Sequence, residues 1–311
     1  MKKIACLFIN LSSFTDNNNI PYKNYENDNF FTPNAINSFK KWNPDVDVHY
    51  INDKNLNEYL QKLQIEEFYE NIGLMKIHFA KQLFKSLNYI KVISLGIDTF
   101  TCARVDEFIN NDEDDLICTA GAFHPISTEH FTTPIESFVE NGKIYNDTPF
   151  INGDVICINN VKAAETLYDI SIKYWSDHAE QGGMNYCYLN QKEVGLKVSI
   201  VDYPYYKTKV VYNIRSKGVV GGYCLIKGNV LAGRKGKVIS NTYPSLLFYI
   251  NDNKLYTQDN KQIKIFHYCE GLGYKTDEDE LSLEEQIYEM KHKWFNKETI
   301  QFLTTQCDCK F

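Results

Sequence analysis

Short apolar runs and longer stretches with helical spacing alternate along the first half of the chain. Residues 3–9 are apolar and rich in branched side chains, residues 47–51 alternate apolar and polar positions, and residues 90–95 form a short apolar run, so each is a predicted strand. Helical spacing falls between them, at 35–42, 56–63 and 74–87. Strands separated by helices predict a parallel sheet with helices on both faces, and such sheets bind ligands at the carboxyl ends of their strands.

The second half of the chain carries a different pattern. Residues 116–119 and 155–158 are strand-like, residues 161–175 have helical spacing, and short β-type runs then recur at 219–226, 246–250 and 263–266. We interpret 215–261 as a β-rich insertion at the sheet edge. A C-terminal helix is predicted over 281–303, where it follows an acidic run that suits a helix N-terminus. The sequence therefore predicts one α/β domain over 1–311.

Composition and charge exclude several classes of protein. With 311 residues, of which 43% are hydrophobic, the chain can bury a large core. The net charge of -7 repels phosphate backbones, so we expect no nucleic-acid partner. No apolar run reaches the ~20 residues of a membrane-spanning helix, and residues 1–9 are too short for a signal peptide. Peripheral membrane contact stays open, because residues 291–295 mix basic and aromatic side chains, a pattern equally typical of a docked helix.

The nine cysteines show no repeated spacing and no CxxC pair. An odd count without such pairs indicates reduced thiols, and we expect a cytoplasmic protein. Cys307 and Cys309 could bind a metal ion, but a frayed C-terminal tail is the commoner meaning of such a terminal pair.

Candidate chemistry begins where the third predicted strand ends. Residues 89–100, YIKVISLGIDTF, run from a buried strand directly into Asp98. A carboxylate at this edge of an α/β sheet can bind a divalent cation, which would stabilise a diphosphate leaving group. An ordinary turn or helix-capping aspartate is the alternative interpretation.

The segment from Leu95 to Thr99 resembles the LDADT strand end of retaining glycosyltransferases related to glycogenin and the bacterial lipooligosaccharide galactosyltransferases. Gly96 stands where the first aspartate of the family's DxD motif belongs. The resemblance implies a GT-A-like (Rossmann-like) mixed sheet flanked by helices and a nucleotide-sugar donor. It also implies Mn²⁺ or Mg²⁺, with weaker binding or no requirement for metal because of Gly96.

Two further segments resemble motifs of this family. Residues 74–80, LMKIHFA, are similar to a helix whose basic residue reaches the donor phosphates, which makes Lys76 the candidate. A solvated helix lysine is the alternative. Residues 150–159, FINGDVICIN, resemble the FNSGVLLIN segment that approaches the donor sugar, and the resemblance implies roles for Asn152 and Gly153. Asp154 replaces a small residue and is either an acceptor for sugar hydroxyls or a surface carboxylate.

Residues 176–185, SDHAEQGGMN, resemble the family signature DGGDQGILN. Asp177 and Asn185 match it, Gln181 is retained, and Glu180 stands in place of an aspartate. The resemblance puts Glu180 and Gln181 on the reacting face of the sugar, where they would stabilise oxocarbenium-like charge or orient the ring. A polar helix N-terminus explains the acidic residues alone.

Residues 263–271, IKIFHYCEG, are similar to the family's closing HFxGxxKPW motif. The resemblance makes His267 a metal ligand and Gly271 and Lys275 diphosphate contacts, although the spacing differs and the Pro-Trp pair is absent. Phe8 and Asn10 occupy the place where these enzymes contact the nucleotide base, mostly through the main chain.

Together these residues predict a glycosyltransferase that moves a sugar from a nucleotide-diphosphate donor, expected to be a uridine diphosphate sugar, with retention of configuration. The acceptor stays open among glycans, lipid-linked glycans, proteins and modified nucleobases. A catalytically inactive sugar-nucleotide-binding scaffold is the main alternative, since the metal motifs are altered. A nucleotidyltransferase would need a glycine-rich basic loop after the first strand, and residues 10–22 contain neither glycine nor a basic residue.

Overall fold

The patterns of the first half become strands and helices close to their predicted bounds. In this computed structural model the described residues are 3–11, 29–67, 69, 71–125, 149–173, 179–201, 225–226, 229–230, 248–257, 262–267, 284, 288, 291–292 and 296–311. Only the backbone is described at some of these positions, including Asn152 and His267. The elements in chain order are β1 Ile4–Asn10, α1 Phe31–Trp42, β2 Asp47–Asn52, α2 Leu56–Lys62, α3 Ile72–Leu87, β3 Lys91–Leu95, β4 Thr99–Thr101, α4 Asp106–Ile109, β5 Leu116–Pro125, β6 Pro149–Ile158, α5 Val161–Lys173, α6 Ala179–Leu189, α7 Gln191–Val194, β7 Val198–Val201, β8 Leu225–Ile226, β9 Asn229–Val230, β10 Phe248–Asn251, β11 Lys254–Thr257, β12 Ile265–His267 and α8 Lys297–Gln306.

The chain divides into two compact units. The first comprises Met1–Glu26, Asp45–Gly96 and Asp106–Val201, and the second comprises Asn27–Pro44, Ile97–Val105 and Asp202–Phe311. The prediction of a single domain over 1–311 stays a prediction, and each unit is described by itself.

A six-stranded mixed sheet in the order β2-β1-β3-β6-β5-β7 forms the centre of the first unit. The α/β class with a mixed sheet and flanking helices is therefore confirmed. β1 pairs in parallel with β2 and with β3, as the alternation of strands and helices predicts. β6 instead runs antiparallel to both β3 and β5. Antiparallel neighbours need no crossover helix between them.

The apolar strands of this sheet are buried along their whole length. Every residue of β1 and of β3 is buried, so neither strand alternates apolar and polar positions. The one charged residue among them, Lys91, donates to the Phe108, Ile109 and Asn111 carbonyls. The core between the sheet and helices α3, α5 and α6 is built from aliphatic and aromatic side chains such as Leu7, Val92, Ile156, Phe79 and Leu167.

Helix α3 carries residues of the candidate site and is defined at both ends. Asn71 is its N-cap, and the Asn71 side chain accepts a hydrogen bond from the Leu74 backbone N–H at 3.0 Å. Asn88 ends the helix in the left-handed conformation with φ 56°, and its N–H donates to the Leu83 carbonyl. These caps define where α3 begins and where it ends.

Strand β6 contains a large bulge. Cys118 of β5 pairs with Ile156, whereas the next residue, Thr119, pairs with Asn152, so residues 153–155 are inserted between two successive pairs of the ladder. The Gly96 N–H donates to the Asp154 carbonyl at 2.7 Å, which holds the inserted segment against the end of β3. Bulges re-aim side chains and carbonyl groups, and this one carries two of the predicted site residues.

The second unit joins distant parts of the chain. β4 pairs antiparallel with β12, and His267 is the register partner of Thr99. Ser38 on α1 accepts a hydrogen bond from the Thr101 N–H at 3.0 Å. Within the predicted β-rich insertion, β8 pairs with β9, and β10 pairs with β11 around a turn in which Asp252 and Asn253 both have positive φ.

The C-terminal region differs from two expectations. Helix α8 begins after Asn296, whose side chain accepts the Thr299 N–H, and it ends at Gln306, three residues beyond the predicted end. The expectation of a frayed tail is wrong. Cys307 and Cys309 are buried, and the Lys310 N–H donates to the Asn34 side chain at 2.7 Å.

The seven cysteines that the structure describes are free and buried. Burial raises the pKa of several of these thiols, including Cys6 and Cys118, so they remain protonated and unreactive. In the described part of the chain no helix has the length and apolar character needed to cross a membrane.

Candidate functional site

Lys76 points from the first half of α3 at the bulge of β6. Its ammonium donates to the Gly153 carbonyl at 3.1 Å and to Glu180 Oε1 at 3.2 Å, and it lies 3.7 Å from Asp154 Oδ1. Lys76 is only 8% exposed, so it is not the solvated lysine of the alternative interpretation. The structure thus brings together four of the predicted site residues from three elements.

Glu180 occupies a space that two glycines leave open. A Cβ atom on Gly73 would lie 1.7 Å from Glu180 Oε2, and a Cβ atom on Gly153 would lie 2.4 Å from Glu180 Oε1. Gly73 is in the first turn of α3, and Gly153 is in the β6 bulge. The carboxylate is therefore held between two backbone segments, and Glu180 is 5% exposed.

One ammonium and two carboxylates meet in this cluster. The Lys76 ammonium faces the carboxylates of Glu180 and Asp154. Asp154 has a third of its side chain exposed, whereas Lys76 and Glu180 are almost completely buried. Each buried charge costs several kcal/mol to desolvate unless it is paired, so the positions of Lys76 and Glu180 depend on each other.

Asn185 fixes the start of α6 against the sheet. Its side-chain oxygen accepts the Ile151 N–H at 2.9 Å, and its amide donates to the Gln181 carbonyl at 2.7 Å and the Ile151 carbonyl at 3.3 Å. Asn185 is fully buried. This residue matches the family signature, but its structural role was not predicted. Gly73 was also missed, because it lies just before the predicted helix 74–87, whereas the structure places it in the first turn of α3.

The predicted metal ligands belong to the second unit. Asp98 is a buried residue in the turn before β4. The next residue, Thr99, is the register partner of His267, so the strand pairing brings the backbones of these two sequence-distant positions together. Among the side chains that the structure describes, no group of three or more His, Cys, Asp or Glu could hold a metal ion. Metal binding by Asp98 and His267 stays a prediction.

The remaining candidates are divided between described and undescribed positions. Phe8 is fully buried in β1, so its predicted contact with a nucleotide base would have to come from its main chain. Asn10 is the last residue of β1 and pairs with Asn52. Five predicted site residues lack a described position or side chain: Asp177, Gly271 and Lys275 lie outside the described residues, and only the backbone of Asn152 and of His267 is described.

No family model matches the chain, and no curated protein matches it. Several solved structures resemble it. The WbbM bifunctional glycosyltransferase has a TM-score of 0.42 at 12% identity, over 66% of this chain and 40% of that one. Mouse xyloside xylosyltransferase 1 has a TM-score of 0.42 at 11% identity, over 66% of this chain and 86% of that one. An active-site mutant of LgtC has a TM-score of 0.38 at 12% identity, over 65% of this chain and 74% of that one.

This chain therefore spans less than half of the WbbM protein. Identities and TM-scores this low say nothing about the donor, acceptor or stereochemistry of the present chain.

Proposed function

We propose that this protein is a glycosyltransferase that moves a sugar from a nucleotide-diphosphate donor, a uridine diphosphate sugar, to a hydroxyl-bearing acceptor with retention of configuration. The observation that carries the proposal is the cluster of Lys76, Gly153, Asp154 and Glu180. These residues come from three separate sequence segments that were each selected for their resemblance to glycosyltransferase motifs, and Lys76 and Glu180 are 104 positions apart.

The residues of the cluster suit the chemistry of sugar transfer. A buried carboxylate is favourable next to the positive charge that develops on the anomeric carbon, which gives Glu180 and the neighbouring Gln181 their proposed role. Asp154, which is partly exposed, would accept hydrogen bonds from sugar hydroxyls. Lys76 holds Glu180 in place and lies 3.7 Å from Asp154 Oδ1.

In the proposed reaction the bond between the anomeric carbon and the diphosphate oxygen breaks, and its electron pair leaves with the diphosphate. The acceptor oxygen forms the new bond on the face that the diphosphate vacates, and its proton passes to the departing phosphate oxygen. Asp98 and His267 would hold Mn²⁺ or Mg²⁺, which neutralises charge on the diphosphate as it leaves. Lys275 and Gly271 are proposed contacts of the same diphosphate.

A panel of nucleotide-sugars tests this function directly. Each donor is added to the protein, and the thermal midpoint and the release of free nucleoside diphosphate are measured. A donor at 100 times its Kd should add about 2.7 kcal/mol to the free energy of unfolding, and the correct donor should also be hydrolysed slowly. Glu180→Gln is the matched variant and should reduce hydrolysis. If no donor stabilises the protein or is hydrolysed, the proposal is wrong.

An inactive scaffold that binds sugar nucleotides is the second candidate, and Gly96 at the first acidic position of the metal motif favours it. The same panel separates the two functions. A scaffold would be stabilised by one donor but would release no nucleoside diphosphate at any protein concentration.

A further inference from the structure

The position of the Glu180 carboxylate depends on its close approach to Gly73, a residue that lies outside the sequence motifs. Gly73 is the second residue of α3, directly after Ile72, and a Cβ atom there would lie 1.7 Å from Glu180 Oε2 and 2.6 Å from Glu180 Cδ. Real Cβ atoms do not approach other atoms this closely. Any side chain at position 73 would therefore occupy the space of the Glu180 carboxylate.

Helix stability does not explain a glycine at this position. Glycine in a helix costs about 1 kcal/mol relative to alanine, and α3 has its own cap at Asn71, so Gly73 is not needed to start the helix. Nor does Gly73 have a positive φ that would require glycine, since Gly195 is the only glycine with that conformation among the described residues. What requires glycine is the close approach of Glu180.

The two oxygens of the Glu180 carboxylate have different neighbours. Oε1 contacts the Lys76 ammonium at 3.2 Å and lies next to Gly153, whereas Oε2 lies next to Gly73. Adding a methyl group to Gly73 would push Oε2 away from α3 and would rotate or withdraw Oε1 from Lys76. Glu180 is a flexible side chain, so the fold can tolerate this change while the geometry of the site cannot.

We infer that Gly73 is a positioning residue that sets the place of the Glu180 carboxylate in the proposed glycosyl transfer. This inference rests on the proposed function. Gly73 contributes by leaving room for the longer acidic side chain of glutamate between α3 and the β6 bulge. A shorter acidic residue, aspartate, would leave that space partly empty and would tolerate alanine at position 73.

The inference is tested by a double-mutant cycle of Gly73→Ala and Glu180→Asp. Gly73→Ala should still fold, but with a lowered thermal midpoint, because displacing Glu180 from Lys76 weakens a buried ion pair and the better helix propensity of alanine offsets only part of that loss. Its kcat for transfer or donor hydrolysis should fall by about 100-fold, the usual cost of a misplacement of about 1 Å, and its Kd for the nucleoside diphosphate alone should not change. Adding Glu180→Asp to Gly73→Ala should restore kcat by about tenfold or more, whereas Glu180→Asp alone should reduce it.

Two results would overturn the inference: full activity in Gly73→Ala, or strictly additive effects of the two substitutions. Gln82→Ala, which changes the same helix away from the cluster, is the control and should keep wild-type kcat.

A crystal structure of Gly73→Ala provides a measurement that does not depend on activity. The Glu180 carboxylate should lie more than about 4 Å from Lys76 Nζ, beyond ion-pair distance, and an unmoved carboxylate overturns the inference even if no sugar donor is ever found. Failure of the donor panel with a displaced carboxylate would reject the proposed function alone.

Discussion

Lys76 and Glu180 form a buried ion pair, 3.2 Å long, between helix α3 and the first turn of helix α6. The pair depends on the bulge in β6, because the Gly153 carbonyl accepts a second hydrogen bond from the same ammonium. Neither residue could be buried alone without a cost of several kcal/mol. The ion pair is therefore part of the packing of the first unit, and it also holds the carboxylate that the proposed reaction uses.

Removing the Lys76 ammonium should destabilise the protein strongly. Lys76→Met removes the ammonium that pairs with the buried Glu180 carboxylate, and breaking a buried pair in this way costs about 3–5 kcal/mol. Denaturant unfolding measures the change in the free energy of unfolding. The double variant Lys76→Met with Glu180→Gln should recover much of the loss, because it no longer buries an unpaired charge.

An exposed ion pair between α3 and α5 provides the control. Lys85 and Glu165 form an ion pair with nearly half of each side chain exposed. Lys85→Met should change the free energy of unfolding by less than about 1 kcal/mol. If Lys76→Met lowered the free energy of unfolding no more than Lys85→Met does, the Lys76–Glu180 pair would not be buried in solution.

Much of the first unit could be predicted because hydrophobic periodicity reports local structure. β1, β2, α3 and β3 lie within two residues of their predicted bounds, since their apolar positions follow the periods of strand and helix. The direction of β6 could not be predicted in this way. Parallel and antiparallel neighbours can have the same apolar run, and only the pairing partners distinguish them.

The site was predictable only as separate segments. Lys76, Gly153 and Glu180 were each selected by motif, but a one-dimensional pattern contains no information that an ammonium on one segment contacts a carboxylate 104 positions away. Gly73 was missed because the sequence does not show that the Glu180 carboxylate packs against it. The buried tail at Cys307 and Cys309 was missed for a similar reason: terminal residues are usually exposed, and the contact with Asn34 is visible only in three dimensions.

Asn185 should be required for the position of Gln181. Asn185→Ala removes three side-chain hydrogen bonds and leaves the Ile151 N–H without its side-chain acceptor in a buried environment, whereas the Gln181 carbonyl keeps its place in helix α6. We expect a loss of about 1–3 kcal/mol in the free energy of unfolding for each group left without a partner, measured by denaturant unfolding. Asn185→Asp keeps an acceptor for the Ile151 N–H but places a carboxylate against the Ile151 and Gln181 carbonyl oxygens in a buried environment, so it should be at least as destabilising as Asn185→Ala. Equal stability of Asn185→Ala and the wild type would contradict this role.

Two buried histidines should make stability depend on pH. Burial lowers the pKa of His49 and of His78 to about 4, below the value of about 6.5 expected in the unfolded chain. The unfolded state therefore binds more protons, so this contribution is fully present above pH 6.5 and is lost as the pH falls toward 4. His78→Phe keeps a ring against Tyr168 and removes one titrating group. Its thermal midpoint should fall less steeply than that of the wild type between pH 7 and 4.5. Parallel curves would show that His78 is not buried in its neutral form.

Asp98 should be essential for transfer but not for folding. Asp98→Asn keeps the size of the side chain and removes the charge that the proposed Mn²⁺ or Mg²⁺ requires, so transfer should be lost while the thermal midpoint without metal changes by only a few degrees. Mn²⁺ should raise the thermal midpoint of the wild type and not that of the variant, a readout independent of turnover. Asp252→Asn, in the exposed turn between β10 and β11, is the matched control and should keep both activity and the Mn²⁺ response. Unchanged turnover in Asp98→Asn would remove this carboxylate from the mechanism, and full wild-type activity in chelator would leave the diphosphate to basic side chains such as Lys275.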